Sequence, residues 1–154
     1  MKSARAWPLV ELAILFFAAG LSCDLVNAWR HSPPDRLGWL ALLVWLVPLA
    51  LRLRSDRAAS SANFYLLGMA IGCGLLGKLT EIHFLNHVAL ALALGAWLNC
   101  SLRSLLWLLT AVAWMPVFGW WLAGFPPAVV LIFRLALALA GVSSFWWIKK
   151  SDSL

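Results

Sequence analysis

Apolar residues in this chain gather into six runs, at about 7–29, 37–53, 63–79, 84–98, 104–125 and 128–148, with short polar breaks between them. A helix needs about 20 apolar residues to cross a hydrocarbon core roughly 30 Å thick. The pattern therefore predicts an all-α polytopic integral membrane protein, one transmembrane domain over 1–154 built as a bundle of about six helices. The breaks carry their own chemistry. Arg30-His31-Ser32-Pro33-Pro34-Asp35-Arg36 ends the first run, because paired prolines forbid continued helix. Pro48 predicts a kink in the second run, Pro116 interrupts the fifth, and Pro126-Pro127 ends it. The third run is rich in glycine, and Gly68 and Gly72 have the GxxxG spacing that lets helices approach closely, here expected to serve packing within the bundle.

Charge gives the bundle a direction. Six crossings put both termini on one face, together with the second-to-third and fourth-to-fifth connections. That face carries eight cations: Lys2, Arg5, Arg52, Arg54, Arg57, Arg103, Lys149 and Lys150. The other carries three, Arg30, Arg36 and Lys78, and Arg134 lies inside the last run. By the positive-inside rule both termini are cytoplasmic, as expected of a multi-pass protein in the plasma membrane, the inner membrane of a bacterium. Tryptophan favours the headgroup level, and its placement agrees with this direction. Trp7, Trp97, Trp107, Trp146 and Trp147 fall near the cytoplasmic boundary, and Trp29, Trp39, Trp120 and Trp121 near the other. Trp45 and Trp114 are left in mid-span.

Composition supports the same solvent. The apolar class makes up 64% of the chain, 12% is charged, and the mean hydropathy is +0.89. A soluble domain of this length needs far more polar surface. The net charge of +6 is scattered at segment ends and forms no stripe on one face, which excludes nucleic acid as a partner and suits anionic headgroups. Cys23, Cys73 and Cys100 have no CxxC spacing and no even count, so neither a disulfide framework nor a zinc site is indicated. The first run, preceded by Lys2 and Arg5, resembles a signal peptide. A lipoprotein cleavage before Cys23 would want a large aliphatic residue where Gly20 stands, so the run is expected to be a retained helix.

The densest polar cluster is Lys78-Leu79-Thr80-Glu81-Ile82-His83-Phe84-Leu85-Asn86-His87, at the extracytoplasmic end. His83 and His87 share a helical face and can hold a divalent metal between two imidazoles, with Glu81 a possible third ligand. The alternative is a wet interfacial turn in which Lys78 and Glu81 pair. His31, Asp35 and Asp24 come to the same side. Arg134, six residues into the last run, needs an acidic or carbonyl partner, because an unpaired charge in hydrocarbon costs about 2.5–3.5 kcal/mol on insertion scales. Glu11 can snorkel to the cytoplasmic rim, so Asp24 or the extracytoplasmic cluster is the expected partner of Arg134. Cys100 beside Arg103 has no nearby base and stands on the side away from the histidines, and no catalytic constellation is expected.

One stretch is similar to a known family. Ala28-Trp29-Arg30-His31-Ser32-Pro33-Pro34-Asp35-Arg36-Leu37-Gly38-Trp39, then an apolar segment through Pro48 to Arg52, Arg54 and Arg57, resembles the N-terminal part of the exosortase/archaeosortase family. Trp114-Met115-Pro116 and Phe125-Pro126-Pro127, followed by Arg134, resemble a middle helix pair of it. The likeness spans roughly two thirds of the chain. It implies a polytopic membrane protein concerned with sorting exported proteins, the family's chemistry lying in an extracytoplasmic Cys, Arg and His with the Cys in a CSG-type motif. Cys100-Ser101-Leu102-Arg103 lacks the Gly and has no His after it, so no catalytic residue carries over and the resemblance implies a non-catalytic portion or a degenerate relative.

The sequence thus leads to a non-catalytic subunit or accessory factor of a larger membrane assembly, its partners the lipid bilayer and other membrane subunits, with no cofactor named. The other readings are an exosortase-like processing protein, and a binder or carrier of a small ligand, quinone or metal at the His83/His87 end.

Overall fold

The computed structural model describes residues 7–54, 63–98 and 101–151. Every described element is helical: α1 (Trp7–Leu21), α2 (Asp24–His31), α3 (Gly38–Trp45), α4 (Val47–Arg54), α5 (Phe64–Thr80), α6 (His83–Gly95), α7 (Leu102–Leu109), a 3₁₀ segment (Thr110–Trp114), α8 (Pro116–Trp121) and α9 (Pro127–Ser151). These follow the six apolar runs, with three of the runs divided. By length and composition, Pro127–Phe145 of α9 is the one described helix that can cross a membrane alone. Leu9–Leu21 with Asp24–His31, bent by 40°, makes a second span if the pair is counted as one. The other apolar helices are shorter than a full crossing.

Each division has a local cause. The first falls at Ser22-Cys23, where Ser22 Oγ leaves its own helix and donates to the Asn86 carbonyl at 3.0 Å. Asp24 then opens α2 in the first turn, where a carboxylate meets the positive end of the helix dipole. In the second run, Pro48 sits in the first turn of α4, where its missing N–H costs nothing. In the fifth, Pro116 forces Met115 into extended backbone (φ −76, ψ 146), and the chain tightens into 3₁₀ geometry before it restarts as α8.

Two packed cores result, joined through α6. One gathers Ala18 of α1, Leu66, Leu67 and Ala70 of α5, and Leu92, Ala93 and Ala96 around α6. The other gathers α3, α7, the 3₁₀ segment and α9 around Trp45, Trp107 and Trp114, all fully buried. Trp45 and Trp107 stack with centroids 3.7 Å apart and planes 11° from parallel, and Trp114 meets Trp45 edge-on at 5.7 Å. Each of the stacked pair donates its indole N–H to the other's carbonyl, Trp45 Nε1 to Trp107 at 2.9 Å and Trp107 Nε1 to Trp45 at 2.7 Å.

Three expectations are corrected here. Trp107 belongs to the core and not to a boundary belt, whereas Trp39, Trp120 and Trp121 do face outward. Glu11 is buried within the protein instead of extending to its surface. Gly68 and Gly72 have nothing within 4 Å of where a Cβ would stand, so the GxxxG face does not pack within the bundle. The close approaches are made by their neighbours: a Cβ on Gly74 would meet Leu21 Cδ1 at 2.9 Å, and one on Gly77 would meet Asn86 Oδ1 at 2.3 Å. The residues 55–62 and 99–100 lie outside the described part, as do Lys2, Arg5 and the side chains of Trp7, Trp146, Trp147, Lys149 and Lys150.

Candidate functional site

Two polar clusters are built into the apolar frame. The first begins with Pro116, which leaves the carbonyls just before it without the helical partners they would otherwise have. Arg134 Nη1 donates to the Ala113 carbonyl at 2.6 Å and to that of Met115 at 3.3 Å. Trp29 Nε1 donates to the Trp114 carbonyl between them at 3.2 Å. The Ala113 and Trp114 carbonyls, freed at the proline break, are thus satisfied by side chains from α9 and α2, and the Met115 carbonyl also accepts from the Phe118 N–H at 3.2 Å. An unsatisfied carbonyl in an apolar surrounding costs several kcal/mol, so the arrangement is what permits the break.

Arg134 is buried, with 1% of its surface exposed, and its Nη2 makes an ion pair with Asp35 Oδ1. The other oxygen of Asp35 accepts from Ser32 Oγ at 2.8 Å, inside the Pro33-Pro34 turn. Burial is the largest influence on Asp35 and pushes its carboxyl above the ordinary aspartate value, while Ser32 and Arg134 pull it back down. The guanidinium also lies 5.5 Å from the ring of Phe118. Gly119 leaves the room for the pair: a Cβ there would stand 2.0 Å from Asp35 Oδ1 and 2.5 Å from Arg134 Nη2. Arg134 Nε is buried and has no hydrogen-bond partner among the described residues.

The second cluster joins α2 to α6. His87, buried, donates from Nε2 to the Asp24 carboxylate, at 3.2 Å to Oδ1 and 3.1 Å to Oδ2. His83 Nδ1 approaches the same Oδ2 at 3.2 Å from the exposed side. One carboxylate therefore faces two imidazoles a helical turn apart, one wet and one dry. Next to it, Asn86 lends its carbonyl to Ser22, and its side-chain oxygen is buried against Gly77 without a partner.

Of the residues singled out in the sequence, His83 and His87 do share a face, and Asp24 takes the position beside them that Glu81 was expected to hold. Glu81 is exposed and ends α5 in the left-handed region (φ 59), where it turns the chain toward α6. It forms no ion pair with Lys78. Among the described residues no three of His, Cys, Asp or Glu are arranged to hold a metal ion. Arg134 pairs with Asp35 and not with Asp24, which the histidines engage. His31 Nδ1 donates to the Asn27 carbonyl at 3.0 Å. Cys23 is exposed, with Sγ turned back 3.8 Å from the Ala19 carbonyl, and Cys100 lies outside the described residues.

Both ion pairs bridge long separations, 63 residues for Asp24–His87 and 99 for Asp35–Arg134. The sequence signal that points to these partners is the expected topology, in which counting six crossings would put Asp24, Asp35, His83 and His87 on one side. Comparison with family models, with curated proteins and with solved structures finds no match to this chain.

Proposed function

We propose that this chain is a six-pass integral membrane protein, with its termini and basic connections cytoplasmic, that serves as a non-catalytic subunit of a larger membrane assembly. The observation that carries the proposal is the outward surface. Phe16 on α1, Tyr65 and Leu79 on α5, Leu109 on α7 and Ile132 on α9 each stand at least 65% exposed. Soluble monomers rarely expose contiguous apolar patches beyond a few hundred Å². In a bilayer the same faces meet lipid or a partner's helices at no cost. A lateral groove of about 520 Å³ between α5, α6, α7 and the 3₁₀ segment is lined entirely by apolar side chains, among them Met69, Phe84, Leu105 and Val112. The break at Pro116 shortens the helix without leaving the Ala113 and Trp114 carbonyls unpartnered, which a bilayer demands and water does not.

A second reading, a binder of a small cationic ligand, is favoured by the Asp24 carboxylate held between His83 and His87. Native mass spectrometry of the gently extracted protein separates the two. The subunit reading expects a stable complex with at least one other membrane protein, and a lone monomer with no co-purifying partner contradicts it. The ligand reading expects a small mass adduct that disappears in a His83→Ala/His87→Ala double variant.

A further inference from the structure

We infer that the extracytoplasmic rim holds a binding site for the anionic, phosphate-bearing headgroup of a lipid, centred on Arg36. This rests on the membrane reading proposed above. Arg36 lies between two cavities. One, of about 380 Å³, is walled by Pro33, Pro34, Leu37, Pro127 and Leu131, and Arg134 lines it as well. The other, of about 390 Å³, is walled by Val26, Trp29 and Trp39, with Arg30 beside Arg36.

The charge at this place does not balance. Arg30 and Arg36 share a cavity, both are exposed, and among the described residues neither guanidinium has a hydrogen-bond or ion-pair partner. The one carboxylate next to them in sequence, Asp35, is turned inward and engaged by Arg134 and Ser32. Arg134 adds a third guanidinium whose Nε is buried without an acceptor. Two like charges in one cavity repel, and a single anion between them turns the repulsion into two attractions. Phosphate fits best, because guanidinium offers paired N–H donors in the geometry that phosphate oxygens accept.

The walls argue for a lipid as the source of that phosphate. They are aromatic and aliphatic side chains, and Trp39 is 43% exposed, in the manner of tryptophan at headgroup depth. Only three cations belong to this face by the crossing count, Arg30, Arg36 and Lys78, and two of them converge here. Lys78 stands apart at the end of α5 and serves as the control.

The test is titration of the detergent-purified protein with phosphatidylglycerol, read by native mass spectrometry, alongside phosphatidylcholine and inorganic phosphate. The expected result is selective binding of phosphatidylglycerol, weakened about tenfold or more in Arg30→Ala/Arg36→Ala and unchanged in Lys78→Ala. Arg36→Lys, which keeps the charge but loses the paired donors, falls between. Both arginines are exposed, so the double variant keeps the wild-type thermal unfolding midpoint. Equal binding by the double variant, an equal loss in Lys78→Ala, equal binding of phosphatidylcholine, or displacement of the lipid by inorganic phosphate at matching concentration each overturns the inference. Such a failure in a protein that still requires detergent for extraction leaves the membrane reading standing; recovery without detergent overturns both.

Discussion

Replacing Arg134 by alanine is expected to lower stability by roughly 3–5 kcal/mol, the range for removing one partner of a buried ion pair. The side chain is 1% exposed and holds three groups at once: Asp35 and the carbonyls of Ala113 and Met115. Its loss leaves a carboxylate buried without its cation and the Ala113 carbonyl without a donor, while the Met115 carbonyl keeps the Phe118 N–H, in the segment where Pro116 already prevents regular helix. The double variant Asp35→Leu/Arg134→Met removes both charges and keeps the volume. It should recover part of the loss, since a buried pair replaced by apolar residues is often near neutral. Recovery stays incomplete because the Ala113 carbonyl remains unsatisfied. Thermal unfolding of the detergent-solubilised protein, followed by tryptophan fluorescence, measures the series. A midpoint for Arg134→Ala equal to wild type would show that the pair holds nothing together.

Trp107→Ala is expected to cost about 3–5 kcal/mol, as large-to-small changes of buried aromatics do. Trp107 is fully buried, stacks on Trp45 and meets Phe145 edge-on at 6.3 Å, so its removal opens a void where α3, α7 and α9 meet. Trp107→Phe separates packing from hydrogen bonding. It keeps a ring but removes the donor to the Trp45 carbonyl, and should cost about 1–3 kcal/mol for the acceptor left buried. Trp120→Ala, at a position 77% exposed, should leave the midpoint within experimental error. The order wild type ≈ Trp120→Ala, then Trp107→Phe, then Trp107→Ala is the result to look for. A Trp107→Ala midpoint no lower than that of Trp120→Ala contradicts the core assignment.

Much of the helical frame was legible in the chain because its signals are local. Apolar run length marks where helices lie, and Pro48, Pro116 and the Pro33-Pro34 pair act on their immediate neighbours. What failed was the assignment of faces. Trp107 lies near a segment end and so reads as a boundary residue, yet the start of α7 and its partner on α3 bring it opposite Trp45. Gly68 and Gly72 have the spacing of a packing motif, but the spacing does not say which side of α5 meets α6, and Gly74 and Gly77 are the ones used. The candidate site was legible only by side. The expected crossing count put Asp24, Asp35, His83 and His87 on one side, and a place inside an apolar run required Arg134 to find a partner. Which acid each group takes depends on packing between residues 63 and 99 positions apart, for which the chain carries no local mark. Glu81 was expected in the histidine cluster because it is near in sequence, but the left-handed turn at the end of α5 needs that position for the reversal.

The proposed six crossings, with the basic side inward, are open to a direct check by cysteine accessibility in intact cells. In a background with Cys23, Cys73 and Cys100 replaced by serine, single changes His31→Cys, Lys78→Cys, Ser60→Cys and Ser153→Cys sample the two faces. A membrane-impermeant maleimide should label the first two at once, and the last two only after permeabilisation. Labelling of Ser60→Cys or Ser153→Cys in sealed cells, or protection of His31→Cys or Lys78→Cys, would contradict those crossings.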